Sequence, residues 1–149
     1  MIAFTRKIVE SLEKWSGLPF KRLIKFGLVG SSGVIVNMGF FYLFNELFLI
    51  IYQISSLIAI EISIINNFIW NNLWTWKDRA TDNTKKQKIR FLKYNLISWI
   101  SASLSYGILL ASVEILGWNK YVGNLTGILC GMGFNFILNH FWTFKKHDI

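Results

Sequence analysis

The stretch FGLVGSSGVIVNMGFFYLFNELFLIIYQISSLIAIEISIINNFIWNNLWTW (26–76) decides the fold, because its 51 residues contain only two charged side chains, Glu46 and Glu61. A membrane-spanning helix needs about 20 apolar residues, so the stretch is too long for one span and suits two. Residues 94–144 repeat this pattern with only three acidic, basic or imidazole side chains. The sequence therefore predicts four transmembrane helices, at about 26–48, 52–74, 94–116 and 121–143.

The composition agrees with a membrane as the solvent. Of the 149 residues, 53% are apolar and only 16% are charged, against about 25% charged in a typical soluble domain. We predict an all-α membrane protein with a single four-helix transmembrane domain at 21–149. Residues 1–20 precede it, and apolar side chains at helical spacing from Phe4 to Trp15 predict a short amphipathic helix in the membrane interface.

The two halves of the chain align when one is shifted by 68 residues. Positions 22–77 and 90–145 share fourteen identities in fifty-six ungapped positions, including polar residues that shared hydrophobicity does not explain. This pattern predicts a tandem repeat of two helical hairpins, repeat 1 at about 22–77 and repeat 2 at about 90–145. Each hairpin crosses the membrane twice, so both copies keep one orientation, as in a parallel repeat. The visible turn at 117–120 places the turn of the first hairpin at 49–52.

The basic residues predict the orientation in the membrane. Fifteen of the sixteen Lys and Arg residues lie before the first span, between the second and third spans, or after the fourth, and only Lys120 lies on the other side. By the positive-inside rule, both termini and the middle loop are cytoplasmic. Topology thus accounts for the net charge of +8, and no nucleic-acid partner is predicted.

The second helix of each repeat ends in a related motif, NNFIWNNLWTWK (66–77) and FNFILNHFWTFK (134–145). Together with the opening segment RLIKFGLVG (22–30), these motifs resemble the GtrA-like family of small four-helix membrane proteins. The resemblance covers about residues 20–147 and departs from the family pattern at Trp76, where Phe is usual.

The resemblance implies work on polyprenyl-phosphate-linked sugars. The expected function is their translocation (flipping) across the cytoplasmic membrane of a bacterium, for polysaccharide or teichoic acid glycosylation, beside a separate membrane glycosyltransferase. Similar four-helix domains anchor dolichol-phosphate mannose synthases, so a non-transporting scaffold for a polyprenyl-phosphate glycosyltransferase is the alternative. A small proton-coupled antiporter is a third hypothesis, which the length and an intramembrane acid favour and the Asn/Trp motifs do not.

Polar side chains inside the predicted spans are the first candidate site. Asparagines recur one turn apart near the end of the second helix of each repeat, on the same face as a tryptophan. Carboxamides in hydrocarbon seek partners, so they either line a path for the substrate or only hold helices together. An intramembrane acid is costly, so Glu61 is either a proton-coupling group or a neutral acid bonded to a neighbouring helix. The predicted polar seam consists of Asn67, Asn71, Asn135, Asn139 and Glu61.

Basic and aromatic side chains at the cytoplasmic boundary are the second candidate site. Two matched basic pairs stand at i and i+3 where the first helix of each repeat enters the interface, the depth of a lipid phosphate. Topology alone would also place cations there. The candidate lipid-phosphate-binding residues are Arg22, Lys25, Arg90 and Lys93. Three aromatic residues near this boundary predict an interfacial belt or, alternatively, a sugar-stacking platform: Trp74, Trp76 and Trp142.

The remaining residues predict no catalytic chemistry. His140 and His147 have no cysteine or carboxylate at metal-ligand spacing apart from Asp148, and the single Cys130 can form no intrachain disulfide. We expect no metal, no cofactor and no enzymatic activity. Partners are expected to be membrane lipids, the lipid-linked sugar and the glycosyltransferase. The glycines at 123, 127 and 131 predict a close helix contact, either within the chain or in a homo-oligomer.

Overall fold

The computed structural model describes residues 19–81 and 83–145, which form helices with no strand among them. The chain divides into two units, Met1–Lys77 and Asp78–Ile149. The described part of each unit contains two long helices that pack on each other, and we call these parts hairpin 1 and hairpin 2. The amphipathic helix predicted near the start of the chain falls on residues 1–18, outside the described residues.

Hairpin 1 consists of two α-helices that each end in a π-helical turn. Pro19 precedes the first helix, and its carbonyl accepts the Arg22 amide at 2.9 Å, in keeping with the preference for proline at helix starts. A short 3₁₀ helix, Lys77–Arg79, follows the hairpin. In order, the elements are α1 (Phe20–Tyr42), π1 (Leu43–Leu47), α2 (Tyr52–Trp70) and π2 (Asn71–Thr75).

Hairpin 2 has the same order of elements. Asparagine side chains cap both of its α-helices: Asn83 accepts the Lys86 amide at 3.0 Å, and Asn119 accepts the Tyr121 amide at 2.9 Å. The elements are α3 (Thr84–Leu110), π3 (Ala111–Ile115), α4 (Lys120–Leu138) and π4 (Asn139–Thr143). Apart from the earlier start of α3, every boundary lies 68 residues after its counterpart, the same offset as the sequence identities.

The prediction of four spans is confirmed, since four described helices are long and apolar enough to cross a membrane. No more than 22% of the most apolar window of any of them is buried, so their apolar side chains face outward. The first helix of each hairpin begins earlier than predicted, at Phe20 and Thr84. Helical structure tolerates the basic residues there because they lie at the end, outside the apolar part of the span.

The turns that join the two long helices of each hairpin share an unusual backbone conformation. Leu49 has φ of 53° and Gly117 has φ of 66°, and they stand 68 residues apart. Glycine adopts this left-handed region without cost, whereas a branched side chain is rare there. The turn of hairpin 1 lies at residues 48–51, between π1 and α2, in agreement with the turn predicted at 49–52.

Close approach of the two helices holds hairpin 1 together. Gly33 of α1 lies so near the Asn67 side chain of α2 that a Cβ at position 33 would collide with it. The Ser63 hydroxyl donates to the Gly33 carbonyl at 2.8 Å. Small residues permit such contacts between membrane helices, and the hydrogen bond adds to the packing.

The glycine stripe of α4 performs the corresponding task in hairpin 2. Gly127 and Gly131 face Ser105 of α3, and a Cβ at either position would collide with it. Gly123 lies against the Ser112 side chain. The stripe is therefore an internal contact of hairpin 2, which is one of the two roles predicted for it.

Candidate lipid-phosphate site

Each hairpin brings one lysine of its first helix onto a tryptophan of its second. The ammonium of Lys25 lies 5.4 Å from the centre of the Trp74 ring, and that of Lys93 lies 5.1 Å from the centre of the Trp142 ring. Both distances are within the range of a cation–π interaction. All four residues are candidates on the sequence alone, but the sequence does not predict that they pair in this way.

The two Lys–Trp pairs lie at the surface of their hairpins. Trp74 is 42% exposed and Trp142 is 46% exposed. Among the described residues, no carboxylate lies within ion-pair distance of Lys25 or Lys93. An ammonium carries three N–H donors, and the face of an indole uses none of them fully, so each lysine retains donors for an anion.

The arginines of the predicted basic pairs lie deeper than the lysines. Arg90 is buried, its guanidinium is 5.7 Å from the centre of the Phe144 ring, and its Nη1 has no hydrogen-bond partner among the described residues. Arg22 is half-buried in the first turns of α1. Arg90 thus supports the packing of Phe144, the residue that follows π4.

Trp76 differs from the prediction that it belongs to an interfacial belt. Its side chain is fully buried and makes an edge-to-face contact with Phe26, with 5.8 Å between ring centres. Tyr94 and Phe144 form the corresponding contact in hairpin 2, at 6.3 Å. The ring that follows each π-turn is therefore a core residue, whereas Trp74 and Trp142 stay at the surface.

The π-turns explain this division of the aromatic residues. The Trp76 amide donates to the Asn71 carbonyl at 2.8 Å, five residues back, and Phe144 donates to Asn139 at the same distance. Residues five apart lie on different faces of an α-helix but on one face of a π-turn. Both members of each pair are consequently buried together.

The asparagines of the predicted seam lie inside their own hairpins. Asn71 accepts the Thr75 hydroxyl at 2.7 Å and is buried, while Asn67 packs against Gly33. In hairpin 2, Asn139 donates to the side chain of Asn135 and, at 2.9 Å, to its carbonyl. The seam asparagines are therefore bonded to each other in hairpin 2, whereas in hairpin 1 Asn71 is bonded to Thr75.

Hairpin 2 leaves part of its seam unsatisfied. Asn139 Oδ1 and Thr143 Oγ1 are buried, and neither has a hydrogen-bond partner among the described residues. Buried polar atoms normally have a partner, which is protein or ordered water. These two atoms of hairpin 2 therefore depart from that rule.

Glu61 stands apart from the other candidate residues. It is half-buried near the middle of α2, thirteen residues before Trp74. At 1.5 Å per residue the two positions are separated by about 20 Å along the helix. Glu61 is therefore at mid-span, far from the Lys–Trp pair of its hairpin.

Arg79 is a structurally important residue that the sequence analysis did not select. Its guanidinium donates to the carbonyls of His140 and Phe144 at 3.1 and 2.6 Å, and it lies 3.5 Å from His140 Nε2. Cations commonly cap the free carbonyls at a helix C-terminus. In the sequence, Arg79 is one of several basic residues in the middle loop, and the positive-inside rule already explains a basic residue there. Nothing in the sequence therefore marks Arg79 as a helix cap.

Metal binding receives no support from the described residues, where no group of three His, Cys, Asp or Glu side chains could hold an ion. The exposed Cys130 thiol is not paired in a disulfide.

Comparison with known proteins gives two findings. A family model described as GtrA/DPMS, transmembrane domain, matches residues 25–147. The chain is also 37% identical over 128 residues to a dolichol-phosphate mannosyltransferase of Pyrococcus furiosus (strain ATCC 43587 / DSM 3638 / JCM 8422 / Vc1). That alignment covers 86% of this chain and 35% of the relative, so the chain matches about a third of the relative's length.

Proposed function

Because the chain belongs to the GtrA/DPMS transmembrane-domain family, we propose that it binds polyprenyl-phosphate-linked sugars in the membrane and translocates them. The sugars would serve glycosylation of a cell-surface polysaccharide or teichoic acid. In this proposal the two Lys–Trp pairs, Lys25 with Trp74 and Lys93 with Trp142, contact the lipid phosphate. The chain itself makes and breaks no glycosidic bond, and a membrane glycosyltransferase is its partner.

The observation that carries the proposal is the occurrence of the same Lys–Trp pair in both hairpins. Tryptophan favours the headgroup depth of a bilayer, and a cation at this depth attracts anionic lipid. The indole holds the ammonium near the surface of the hairpin, which restricts the freedom of a long side chain before the ligand arrives. A phosphate can then accept a charge-assisted hydrogen bond from an already placed donor.

The proposal includes a topology. The hairpins are taken as tandem copies that enter the membrane in the same direction, with both termini and the middle loop in the cytoplasm. The distribution of Lys and Arg supports this orientation, and the common 68-residue offset of the elements supports the duplication. Both Lys–Trp pairs then face the leaflet in which cytoplasmic enzymes make lipid-linked sugars. The membrane in question is taken to be the cytoplasmic membrane of a bacterium.

A scaffold function is the second candidate, and the relative favours it. The Pyrococcus furiosus protein is named a dolichol-phosphate mannosyltransferase, and this chain matches a third of it. The same phosphate-binding pairs could present a polyprenyl phosphate to a glycosyltransferase without translocating it. Both candidates require that the pairs bind the lipid phosphate.

Binding of the lipid phosphate is tested by removing the two lysine charges. Lys25→Gln with Lys93→Gln should weaken binding of undecaprenyl phosphate to the protein in phosphatidylcholine nanodiscs about fivefold at each site, since one cation near the headgroup contributes about 1 kcal/mol. Lys85→Gln with Lys88→Gln is the matched control, because it removes the same charge from the exposed start of α3. The control should bind as the parent does. Equal binding by the parent and the Lys25/Lys93 variant would refute the phosphate site.

A further inference from the structure

A groove of about 590 Å³ lies on hairpin 1 beside the Lys25–Trp74 pair. Its volume is within the range of pockets that hold organic ligands, roughly 300–1,000 Å³. Three of its residues come from α1, one from α2 and two from π2. The lining residues are Leu28, Val29, Ser32, Trp70, Leu73 and Trp74.

The groove is apolar although one of its residues is a serine. The Ser32 hydroxyl donates to the Val29 carbonyl at 2.7 Å, so its hydrogen bond is used within α1. Leu28, Trp70 and Leu73 are each more than half exposed, which leaves the groove open on the surface of the hairpin. The groove therefore suits a hydrocarbon chain.

Trp74 connects the groove to a positive charge. One part of its ring lines the groove, and the Lys25 ammonium lies 5.4 Å from the ring centre. A ligand that uses both features has an anionic head and an apolar tail. The arrangement offers one cation and one groove, which suits a phosphate with a single chain better than a phospholipid with two.

Hairpin 2 differs from hairpin 1 at positions that correspond to lining residues of the groove. At the offset of 68 residues, Ile100 stands where hairpin 1 has Ser32, and Leu138 stands where it has Trp70. Isoleucine adds three carbon atoms at the wall that serine leaves open, and leucine removes an aromatic wall. The two Lys–Trp pairs are thus alike, but their apolar surroundings are not.

We propose that the groove of hairpin 1 binds the isoprenoid chain of a polyprenyl phosphate whose phosphate lies at Lys25. The corresponding site of hairpin 2 binds the phosphate of such a lipid but offers no groove for its isoprenoid chain. This inference rests on the proposed function and adds to it that only one hairpin selects the hydrocarbon part of the ligand.

The test compares ligands of different chain length on matched variants. Undecaprenyl phosphate and methyl phosphate, which has no isoprenoid chain, are titrated into the protein in phosphatidylcholine nanodiscs. Ser32→Ile, which copies hairpin 2, should weaken binding of undecaprenyl phosphate about fivefold or more, as overfilled cavities do, and leave binding of methyl phosphate nearly unchanged. Ser31→Ile is the control, because it makes the same change at an exposed position of α1 outside the groove, and it should leave both affinities as in the parent. Trp70→Leu removes a wall from an exposed position and should also weaken the long chain selectively.

Several outcomes would overturn the inference. If Ser32→Ile and Trp70→Leu bound undecaprenyl phosphate as tightly as the parent does, the groove would be excluded as the binding site of the isoprenoid chain. Phosphatidylglycerol that competes as well as undecaprenyl phosphate would show that the groove takes ordinary lipid. In both cases the phosphate site of the proposed function would survive, whereas a parent protein that binds neither ligand would end both proposals.

Discussion

The basic side chains of the two hairpins lie over two kinds of aromatic ring, exposed and buried. Lys25 and Lys93 lie over exposed indoles, while Arg90 lies over the buried ring of Phe144. A cation–π contact contributes about 0.5–1 kcal/mol at an exposed site and about 2 kcal/mol when water is excluded. Arginine is suited to the buried position because its planar group stacks on a ring. The lysines are consequently the residues whose replacement should affect a ligand more than the fold.

The turn at Leu49 offers a prediction at the scale of one residue. Its φ of 53° is unfavourable for leucine, and hairpin 2 has Gly117 at the corresponding position with φ of 66°. Left-handed backbone costs an L-residue about 1–2 kcal/mol. Glycine avoids this strain, but it loses more conformational entropy on folding, which offsets part of the gain. Leu49→Gly should therefore stabilise the protein by up to about 1 kcal/mol, measured as a higher midpoint of thermal unfolding in detergent.

Gly117→Leu is the reciprocal variant and should lower the same midpoint, because it introduces the strain that Leu49 already carries. A lower midpoint for Leu49→Gly would mean that the exposed leucine side chain stabilises the turn more than its backbone destabilises it.

At the scale of elements, each long helix of the described residues ends in a π-turn. Apolar runs predicted the four helices and their approximate ends, because length and hydropathy alone decide where a span fits. They did not predict the π-turns, since a shift from four-residue to five-residue hydrogen bonding changes no composition. Trp76 was placed in the interface for this reason, and the π-turn brings it into the core beside Asn71.

The glycines of α4 give a prediction about helix packing. A Cβ at Gly127 would collide with the backbone carbonyl of Ser105, which cannot turn away as a side chain would. Gly127→Ala should force α3 and α4 apart and destabilise hairpin 2 by about 1–3 kcal/mol, the typical cost of overpacking. Thermal unfolding followed by circular dichroism in detergent measures the change.

Gly133→Ala is the matched control, because a Cβ there meets no atom within 4 Å. It should leave the unfolding midpoint unchanged or raise it, since alanine favours helix more than glycine does. If both variants lowered the unfolding midpoint equally, the effect would come from the lipid-facing surface and not from the contact with Ser105.

At the scale of the molecule, the sequence predicted the family and the number of spans, and both are confirmed. Of the candidate site residues, it found the members of the Lys–Trp pairs but not their pairing. The contacts of Lys25 with Trp74 join residues 49 positions apart, and the packing that creates them has no signature in either segment alone. Arg79 was missed because its role is defined by carbonyls more than sixty residues away.

Translocation and presentation of the lipid differ in what they require of the whole molecule. A hydrated sugar that crosses the bilayer needs polar groups along its path, whereas a scaffold needs only its binding and docking surfaces. Of the four seam asparagines, Asn67 and Asn135 are half-buried and the other two are buried, so Asn67 and Asn135 can contribute to such a path. Leucine replaces either side chain at nearly constant volume. Asn139 would keep one partner after the change at 135, because it also donates to the backbone carbonyl there.

Asn67→Leu with Asn135→Leu should therefore insert normally and abolish surface glycosylation by a translocating protein. The lipid-linked sugar should then accumulate in the cell, because the cytoplasmic step that makes it continues. Extraction and chromatography of this intermediate, together with staining of the surface glycan, measure both effects. Asn124→Leu is the control, since Asn124 is exposed on α4 and its replacement should leave glycosylation unchanged. Loss of the intermediate in the double variant would instead place the protein with the glycosyltransferase that makes it, as expected of a scaffold. If glycosylation stayed normal in the double variant, the two asparagines would serve only in helix packing.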